Sequence, residues 1–304
     1  MPELPEVQTT VDGINEVLKG LVIKSVWTNY KSDYHTGKDN IKNPKYFAEF
    51  QKQIVGRKII KASRRAKNIL IHLSNHGVIL VHMKMTGHLL YGDYIYDAED
   101  TKDPWHAVSP EALRDPFNRH VRMIFTLSNG RYLALSDVRK FAKVTFIEES
   151  ELSKSLHLED LGPEPLDKDF DLNKFKSCIS KRPQGIIKKV LLDPKIISGI
   201  GNIYSDEILW ESGVHPLRKV ATITSLEWKR MFEATKTVLR KGIDFGGDST
   251  SDYRNIFGER GKFSAEHHAY RKTGSVCAKR GCGGKIVRIA LGGRGAHFCD
   301  THQK

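Results

Sequence analysis

The first apolar pattern in the chain is helical. Apolar side chains recur every three or four residues at Val7, Val11, Ile14 and Leu18. Pro5 suits the first position of a helix, where its missing N–H costs no hydrogen bond, and Gly20 can end a helix. The pattern therefore predicts a helix that begins near Pro5 and ends before Gly20.

Short apolar or alternating runs follow this helix. They predict β-strands over residues 21–27, 68–73, 78–83, 88–95, 120–127, 131–136 and 143–147. Ser128, Asn129 and Gly130 form a hairpin-turn signal between two of these strands. Many short strands separated by turns predict an antiparallel β-sandwich or barrel, flanked by the first helix. We expect residues 97–118, which are rich in Asp and Pro, to be a surface insertion.

Helical patterns return in the second half of the chain. Asp171 is placed to cap a helix whose apolar face includes Cys178, and another helix is predicted over residues 185–192. Asn202 is a suitable N-cap for a helix that ends at Gly213. The two glycines just before Asn202 let the backbone approach an anion closely, and a helix N-terminus binds anions.

A further helix and a hairpin complete the pattern. Thr224 and Glu227 form a capping box that begins a helix, and we expect this helix to end at Gly242. The predicted fold is α+β with three domains: an N-terminal antiparallel β-sandwich with a flanking helix over residues 1–148, a helical domain over 149–258, and a C-terminal β-hairpin domain over 259–304.

Charge and composition narrow the class of partner. The 304 residues carry 49 Lys and Arg against 36 Asp and Glu, a net charge of +13. Such a balance indicates a polyanionic partner, with nucleic acid ahead of membrane. The sequence has neither an apolar run long enough to span a bilayer nor an apolar N-terminal signal region, so we expect a cytoplasmic protein associated with the nucleoid.

The chain start offers a candidate nucleophile. If Met1 is removed, the chain begins with the secondary amine of Pro2, followed at once by Glu3. An α-amino group titrates near a pKa of ~8, so a useful fraction is uncharged at physiological pH. The positive end of the first helix should lower the pKa of this amine further. The alternative is an ordinary frayed terminus without a function.

The C-terminal region has the spacing of a metal site. Three of the four cysteines fall within the last 28 residues, which favours metal binding over disulfides. The ligand pattern is Cys277-x4-Cys282, then sixteen residues, then Cys299-x2-His302. Three thiolates and one imidazole make a closed tetrahedral structural zinc site, which would hold a hairpin that lacks a core of its own. His267, His268 and His297 could compete as ligands but lack this symmetric spacing.

Six stretches, in order along the chain, together resemble the formamidopyrimidine-DNA glycosylase family (Fpg/Nei). They include Met-Pro-Glu-Leu-Pro-Glu-Val at residues 1–7, Arg-Arg-Ala-Lys-Asn-Ile-Leu at 64–70, Met-Lys-Met-Thr-Gly-His-Leu at 83–89, Asp-Val-Arg-Lys-Phe-Ala at 137–142, Gly-Ile-Gly-Asn-Ile-Tyr at 199–204 and Gly-Arg-Gly-Ala-His-Phe-Cys at 293–299. The fifth resembles the helix–two-turns–helix signature of that family, and the last resembles its zinc-finger motif.

The resemblance implies the catalytic roles. Pro2 would attack the sugar C1′ of a damaged nucleotide, with Glu3 as the acid/base and Glu6 as a supporting carboxylate. Lys67 would contact the phosphate next to the lesion and assist elimination. Arg294, expected at the tip of the hairpin, would grip the phosphates about the lesion with its guanidinium fork.

The resemblance also implies residues that bind DNA. Met85, Arg139 and Phe141 would enter the duplex and fill the gap left by an everted base. The alternative for Met85 and Phe141 is burial in the core. His120, Lys188 and Asn202 align with family residues that contact the DNA backbone.

Several details depart from the family pattern. The first zinc knuckle is Cys-x4-Cys rather than Cys-x2-Cys, and His302 stands in place of the last cysteine. In the wedge loops, Lys84 replaces a glycine and Val138 a proline. Zinc accepts both changes in its site.

The expected activity is that of a bifunctional DNA glycosylase and abasic-site lyase in base excision repair, acting on damaged double-stranded DNA as a monomer. It would need one structural zinc and no nucleotide cofactor. Leu4 points to the branch that excises 8-oxoguanine and formamidopyrimidines. The alternatives are a Nei-type enzyme for oxidised pyrimidines, which a base-capping loop within residues 251–270 would decide, and a non-catalytic protein that binds damaged DNA.

Overall fold

The structure is a computed structural model that describes residues 1–31, 38, 40–155 and 158–304. Its helices are α1 (Leu4–Val17), α2 (Pro44–Ile54), α3 (Leu172–Ile179), α4 (Ile187–Leu191), α5 (Asn202–Ser212) and α6 (Ser225–Asp244). Its strands are β1 (Ile23–Thr28), β2 (Ile59–Arg65), β3 (Asn68–Leu73), β4 (Gly77–His82), β5 (His88–Tyr96), β6 (Trp105–Ser109), β7 (Val121–Leu127), β8 (Tyr132–Ser136), β9 (Lys143–Glu148), β10 (Ile286–Leu291) and β11 (Arg294–Cys299).

The chain forms two compact units. The first unit comprises Met1–Glu159 and Phe245–Lys262, and the second comprises Asp160–Asp244 and Phe263–Lys304. This division differs from the three domains predicted above, because residues 245–262 return to the first unit and the C-terminal hairpin packs with the helices of the second.

The first unit is an antiparallel β-sandwich, as predicted. One sheet has the strand order β1-β7-β8-β5-β6 and the other β2-β3-β4-β9. Alternate residues of both sheets meet in one core, for example Ile71, Ile79, Phe125 and Leu135, and the apolar face of α1 packs there too. The predicted first helix is confirmed. It begins at Leu4, so Pro5 is its second residue, where an N–H would also lack a partner within the helix.

Residues 97–118 lie mostly at the surface, as predicted, but they also form part of the five-stranded sheet. Their strand β6 pairs with β5. Leu113, from the 3₁₀ turn Glu111–Arg114, is 1% exposed and packs with Leu90, Tyr94 and Ile124 on the outer face of the five-stranded sheet. Five strand residues among Asp and Pro are too few to show an alternating pattern.

Two further elements of the first unit were missed. Helix α2 begins after Asn43, whose side chain accepts the Lys45 N–H at 3.2 Å. Strand β2 lies inside the basic run, where Ile59 and Ala62 point into the core across an irregularity in the pairing with β3. That irregularity shifts the register, so the inward residues do not alternate in sequence.

The second unit contains the four helices α3–α6 and the β10–β11 hairpin. The cap of α3 is confirmed, since Asp171 Oδ1 accepts the Lys174 N–H at 2.8 Å. The capping box of α6 is also confirmed, with the Thr224 N–H donating to Glu227 Oε2 at 2.8 Å. Two boundaries were wrong: Gly201 rather than Asn202 caps α5, and α6 continues through Gly242 to Asp244. Across the described ranges, no helix is both long and apolar enough to cross a membrane.

Candidate active site and metal centre

The chain start is built into the first turn of α1. Glu3 is the N-cap residue, and its N–H donates to Glu6 Oε2 at 2.7 Å as part of a capping box. Pro2, which directly precedes this cap, is buried. Pro2 is therefore held against the N-terminal end of the helix, where the backbone carries a partial positive charge, and it is not a frayed end.

Glu6 is fixed by groups from the far end of the chain. Its Oε1 accepts the Asp248 N–H at 2.7 Å, and its backbone oxygen accepts the Tyr253 hydroxyl at 3.0 Å. Burial raises the pKa of Tyr253, so the phenol stays protonated and able to donate. Neither Asp248 nor Tyr253 was found from the sequence, because no local pattern marks a contact across more than 240 residues.

Lys67 lies in a two-residue turn between β2 and β3, which are paired up to Arg65 and Asn68. Ala66 takes the left-handed conformation that such a tight turn requires, with φ +54°. The Lys67 side chain is half-buried rather than fully solvated. The sequence placed Lys67 at the start of a strand, one residue from its true position in the turn.

The hairpin that carries Lys67 is fastened to α1. Asn15 makes two hydrogen bonds with the backbone of Ala62 on β2, at 2.9 and 2.7 Å. Arg64 Nε donates to Gln8 Oε1 at 3.0 Å. Since α1 also carries Pro2 and Glu3 at its start, the predicted nucleophile and Lys67 belong to two directly connected elements of one unit.

The predicted wedge residues are exposed. Met85 is 40% exposed and Phe141 is 48% exposed, so burial in the core is excluded for both. Arg139 is also exposed, and its guanidinium lies 4.6 Å from the centre of the Phe141 ring. Lys84, where the family has glycine, adopts the left-handed backbone conformation with φ +56°. The loop thus keeps a conformation that glycine would favour.

Asp137 connects the two wedge loops, and no role was predicted for it. Its carboxylate is fully buried and accepts hydrogen bonds from the Thr86 hydroxyl, the Ala142 N–H at 2.8 Å and the Tyr30 hydroxyl at 2.9 Å. Thr86 in turn accepts the Arg139 N–H at 3.1 Å. Burial, with Asp137 beside it, raises the pKa of Tyr30, so this phenol remains a donor.

Replacement of Asp137 by Ala should therefore destabilise the first unit. The change leaves two hydroxyls and one N–H in a buried site without their acceptor, which costs about 3 kcal/mol in the free energy of unfolding. Urea denaturation followed by fluorescence would measure this loss. Asp160→Ala is the control, because the Asp160 side chain is 71% exposed and pairs with the exposed side chain of Lys195. Equal stability of the two variants would contradict the role of Asp137.

His120 belongs to a polar cluster that lines a cavity of about 440 Å³. Its Nδ1 lies 3.4 Å from Asp103 Oδ2, and Arg122 pairs with the same carboxylate at 2.9 Å. His120 is half-buried. Contact with a DNA phosphate remains a prediction for this residue.

The three residues of the second unit that were predicted to contact DNA differ in their exposure and in their partners. Arg294 is exposed and opens β11 directly opposite Leu291, at the hairpin tip as predicted. Asn202 is the first residue of α5, and its Oδ1 has no hydrogen-bond partner among the residues that the structure describes. Lys188 is 0% exposed, and its ammonium is paired with Asp206, whose other oxygen lies 2.8 Å from His297 Nδ1. Lys188 is thus not on the surface of its unit, and its phosphate contact remains a prediction.

The four predicted metal ligands converge. One ligand atom from each of Cys277, Cys282, Cys299 and His302 lies within 4.8 Å of the others. Nδ1 of His302 lies 3.3 Å from Cys277 Sγ, while its Nε2 lies 3.0 Å from the Trp210 carbonyl oxygen. That carbonyl can only accept, so it fixes the proton on Nε2 and leaves Nδ1 free to bind a metal. In the part of the chain that the structure describes, His267, His268 and His297 do not belong to this cluster.

Comparisons with known proteins agree with this geometry. The sequence-family model of the formamidopyrimidine-DNA glycosylase N-terminal domain matches residues 1–144, and the family model of the formamidopyrimidine-DNA glycosylase H2TH domain matches residues 161–254. The formamidopyrimidine-DNA glycosylase of Herpetosiphon aurantiacus is 36% identical over 306 residues, covering 100% of both chains. That of Bacillus subtilis is 36% identical over 306 residues, covering 100% of this chain and 99% of its own.

The chain belongs to the formamidopyrimidine-DNA glycosylase family.

Solved structures from this glycosylase family share the fold. The complex between Lactococcus lactis Fpg and abasic-site DNA aligns with a TM-score of 0.81 and 26% identity, covering 99% of each chain. A second complex, of Lactococcus lactis Fpg with DNA containing N7-benzyl-Fapy-dG, aligns with a TM-score of 0.80 and 28% identity, covering 100% of each chain. The α+β architecture predicted from the sequence is therefore that of the formamidopyrimidine-DNA glycosylases.

Proposed function

We propose that this member of the family is a bifunctional DNA glycosylase and abasic-site lyase that excises oxidised purines, 8-oxoguanine and formamidopyrimidines, from duplex DNA. The observation that carries the proposal is the start of α1, where Pro2 precedes a Glu3 N-cap whose N–H is held by Glu6 at 2.7 Å. The relatives named formamidopyrimidine-DNA glycosylase and the Lactococcus lactis complexes with damaged DNA support the substrate class.

In the proposed reaction, the chain begins at Pro2 after removal of Met1. The uncharged amine attacks C1′ of the damaged nucleotide, and the bond from C1′ to the base breaks. The base leaves with that electron pair and takes up a proton. The nitrogen then loses its own proton, its lone pair breaks the bond from C1′ to the ring oxygen O4′, and O4′ takes up a proton, which leaves an iminium between Pro2 and the opened sugar. Glu3, next to the amine, transfers protons to and from the sugar.

Elimination then breaks the strand. Loss of a proton from C2′ of the iminium expels the 3′ phosphate, and a second elimination expels the 5′ phosphate. Lys67, Asn202 and Arg294 supply the phosphate contacts that hold the strand about the everted nucleotide. Met85, Arg139 and Phe141 fill the space that the base leaves in the duplex.

The cysteine and histidine cluster fits one structural zinc ion. Three thiolates and Nδ1 of His302 match the donors that zinc prefers, and all four protein ligands leave no open position for a substrate. When bound, zinc supplies the cross-link that holds the β10–β11 hairpin, and with it Arg294, to the rest of the finger.

Borohydride reduction tests the proposed function. Enzyme that begins at Pro2 should form a covalent adduct with duplex DNA that contains an abasic site, because borohydride reduces the iminium irreversibly. The absence of an adduct would show a protein that only binds damaged DNA. Faster excision from thymine-glycol duplexes than from 8-oxoguanine:cytosine duplexes would instead assign the activity on oxidised pyrimidines.

Replacement of Lys67 by Ala should slow strand cleavage. Loss of a positioned ammonium beside the transferring phosphate removes electrostatic stabilisation, and we expect the single-turnover rate to fall by about a hundredfold. Lys61→Ala is the matched control, since Lys61 is an exposed basic residue on β2, the strand that leads into the turn of Lys67. Equal rates for the two variants would remove Lys67 from the mechanism.

A further inference from the structure

Arg254 is the largest fully buried side chain in the part of the chain that the structure describes, at 1% exposed. Its Nε donates to Asp115 Oδ2 at 3.1 Å, and its Nη2 donates to both oxygens of Asp115, at 3.2 and 3.0 Å. Its Nη1 donates to the carbonyl oxygens of Ser251 and Tyr253, at 3.2 and 2.9 Å. A buried guanidinium whose charge is matched by a bidentate carboxylate fixes both partners closely.

A second set of contacts fastens the same two segments. Asn118 Nδ2 donates to the Gly258 carbonyl at 3.3 Å and to the Ala112 carbonyl at 3.0 Å. Gly258 has φ +87°, and a Cβ there would lie 2.8 Å from the Ala112 carbonyl atoms. Residues 245–262 are therefore seated tightly on residues 111–118, which belong to the segment that the sequence left without a role.

Residues 245–262 also hold the start of α1. Asp248 and Tyr253 make the two hydrogen bonds that fix Glu6, and Tyr253 directly precedes Arg254. Glu6 in turn holds the Glu3 N–H. Within the first unit, a continuous chain of contacts thus runs from the Asp115 carboxylate through Arg254 and Glu6 to the backbone beside Pro2.

We infer that Asp115 and Arg254 are positioning residues for the N-terminal amine. They hold residues 245–262 in the conformation that fixes Glu6, and through Glu6 they fix the residues that begin α1. Neither side chain touches the reacting atoms. The inference rests on the proposed function, because it assigns these residues to the reaction of Pro2, and it gives residues 111–118 a part in that reaction.

The test compares Asp115→Asn with the double variant Asp115→Asn, Arg254→Gln. The single change leaves a buried guanidinium without its full charge partner, whereas the double change removes both charges and protects the fold. In single-turnover borohydride trapping at saturating abasic-site DNA, both should react at least about tenfold more slowly than the unaltered protein, because small displacements of a reacting group are costly. The Kd for uncleavable tetrahydrofuran-site DNA should change by less than about threefold.

Hydrogen exchange adds a readout that does not depend on activity. The N-terminal peptide that contains Glu3 should exchange its amide hydrogens faster in both variants, because the acceptor on Glu6 is released. Asp169→Asn is the matched control, as Asp169 is exposed and its salt bridge with Lys174 lies in the second unit. This control should match the unaltered protein in both measurements.

Two results would overturn the inference. Folded variants that trap DNA at the unaltered rate would show that the Asp115–Arg254 pair serves stability alone. An unchanged exchange rate at Glu3 would break the proposed connection even if activity fell. Failure of the proposed function is distinguishable from both, because then the unaltered protein itself would form no adduct.

Discussion

Protein that retains Met1 is expected to form no borohydride-trapped adduct with abasic-site DNA, whereas protein that begins at Pro2 forms one. The secondary amine does not exist until the peptide bond before Pro2 is cut, and the retained residue would place a primary amine one position away from the helix start. Because removal of a nucleophile abolishes its covalent step, the rate should differ by at least about 10³-fold.

Intact-mass measurement checks this prediction without a mutation. Preparations with different extents of Met1 removal should show trapping yields proportional to the fraction of chains that begin at Pro2. Pro2→Gly is the companion variant, since it keeps a free amine but loses the ring and the secondary nitrogen. Trapping that is independent of the processed fraction, together with normal cleavage by Pro2→Gly, would rule out the amine as the nucleophile.

Replacement of Cys299 by Ser should remove the metal and the DNA affinity together. Cys299 is one of four ligands that meet within 4.8 Å, and structural zinc sites contribute roughly 10–16 kcal/mol of apparent binding free energy to the folding of such fingers. We expect zinc content to fall from about one ion per chain to nearly none, and the Kd for tetrahydrofuran-site DNA to rise by about a hundredfold, since Arg294 loses its support.

Cys178→Ser is the matched control for this change. Cys178 is also buried, but it lies on the apolar face of α3 and does not belong to the ligand cluster. Mass spectrometry of the metal and fluorescence anisotropy of labelled DNA would measure the two effects. A Cys299→Ser protein that keeps its metal and its affinity would exclude the proposed zinc site.

The features that were predicted correctly are those that depend on residues close together in the sequence. The period of Val7, Val11 and Ile14 predicted α1, and the spacing of the cysteines predicted a cluster that the structure brings together. In the same way, the hairpin signal at Asn129-Gly130 predicted the β7–β8 turn. Each of these features produces a recognisable pattern of residue types and spacings, so it can be read from a single sequence.

The residues that were missed depend on partners far away in the chain. Nothing near Asp137 in the sequence distinguishes it from other acidic residues, and its role depends on donors such as Tyr30 and Ala142. Asp248 and Tyr253 have roles only because the folded chain brings them to Glu6. Lys188 was predicted to contact the DNA backbone, yet its side chain is buried and its ammonium pairs with Asp206, which also contacts His297. Burial and pairing of this kind follow from tertiary structure and leave no periodic signal.

The discontinuous first unit has a consequence for biosynthesis. Residues 160–244 are translated between its two parts, so both sheets can assemble on the ribosome long before residues 245–262 emerge. A nascent chain that stops short of Asp248 therefore has the strands of its sandwich but lacks both hydrogen bonds that hold Glu6. The N-terminal end of the polypeptide, which is made first, therefore acquires its final surroundings only when synthesis is nearly finished.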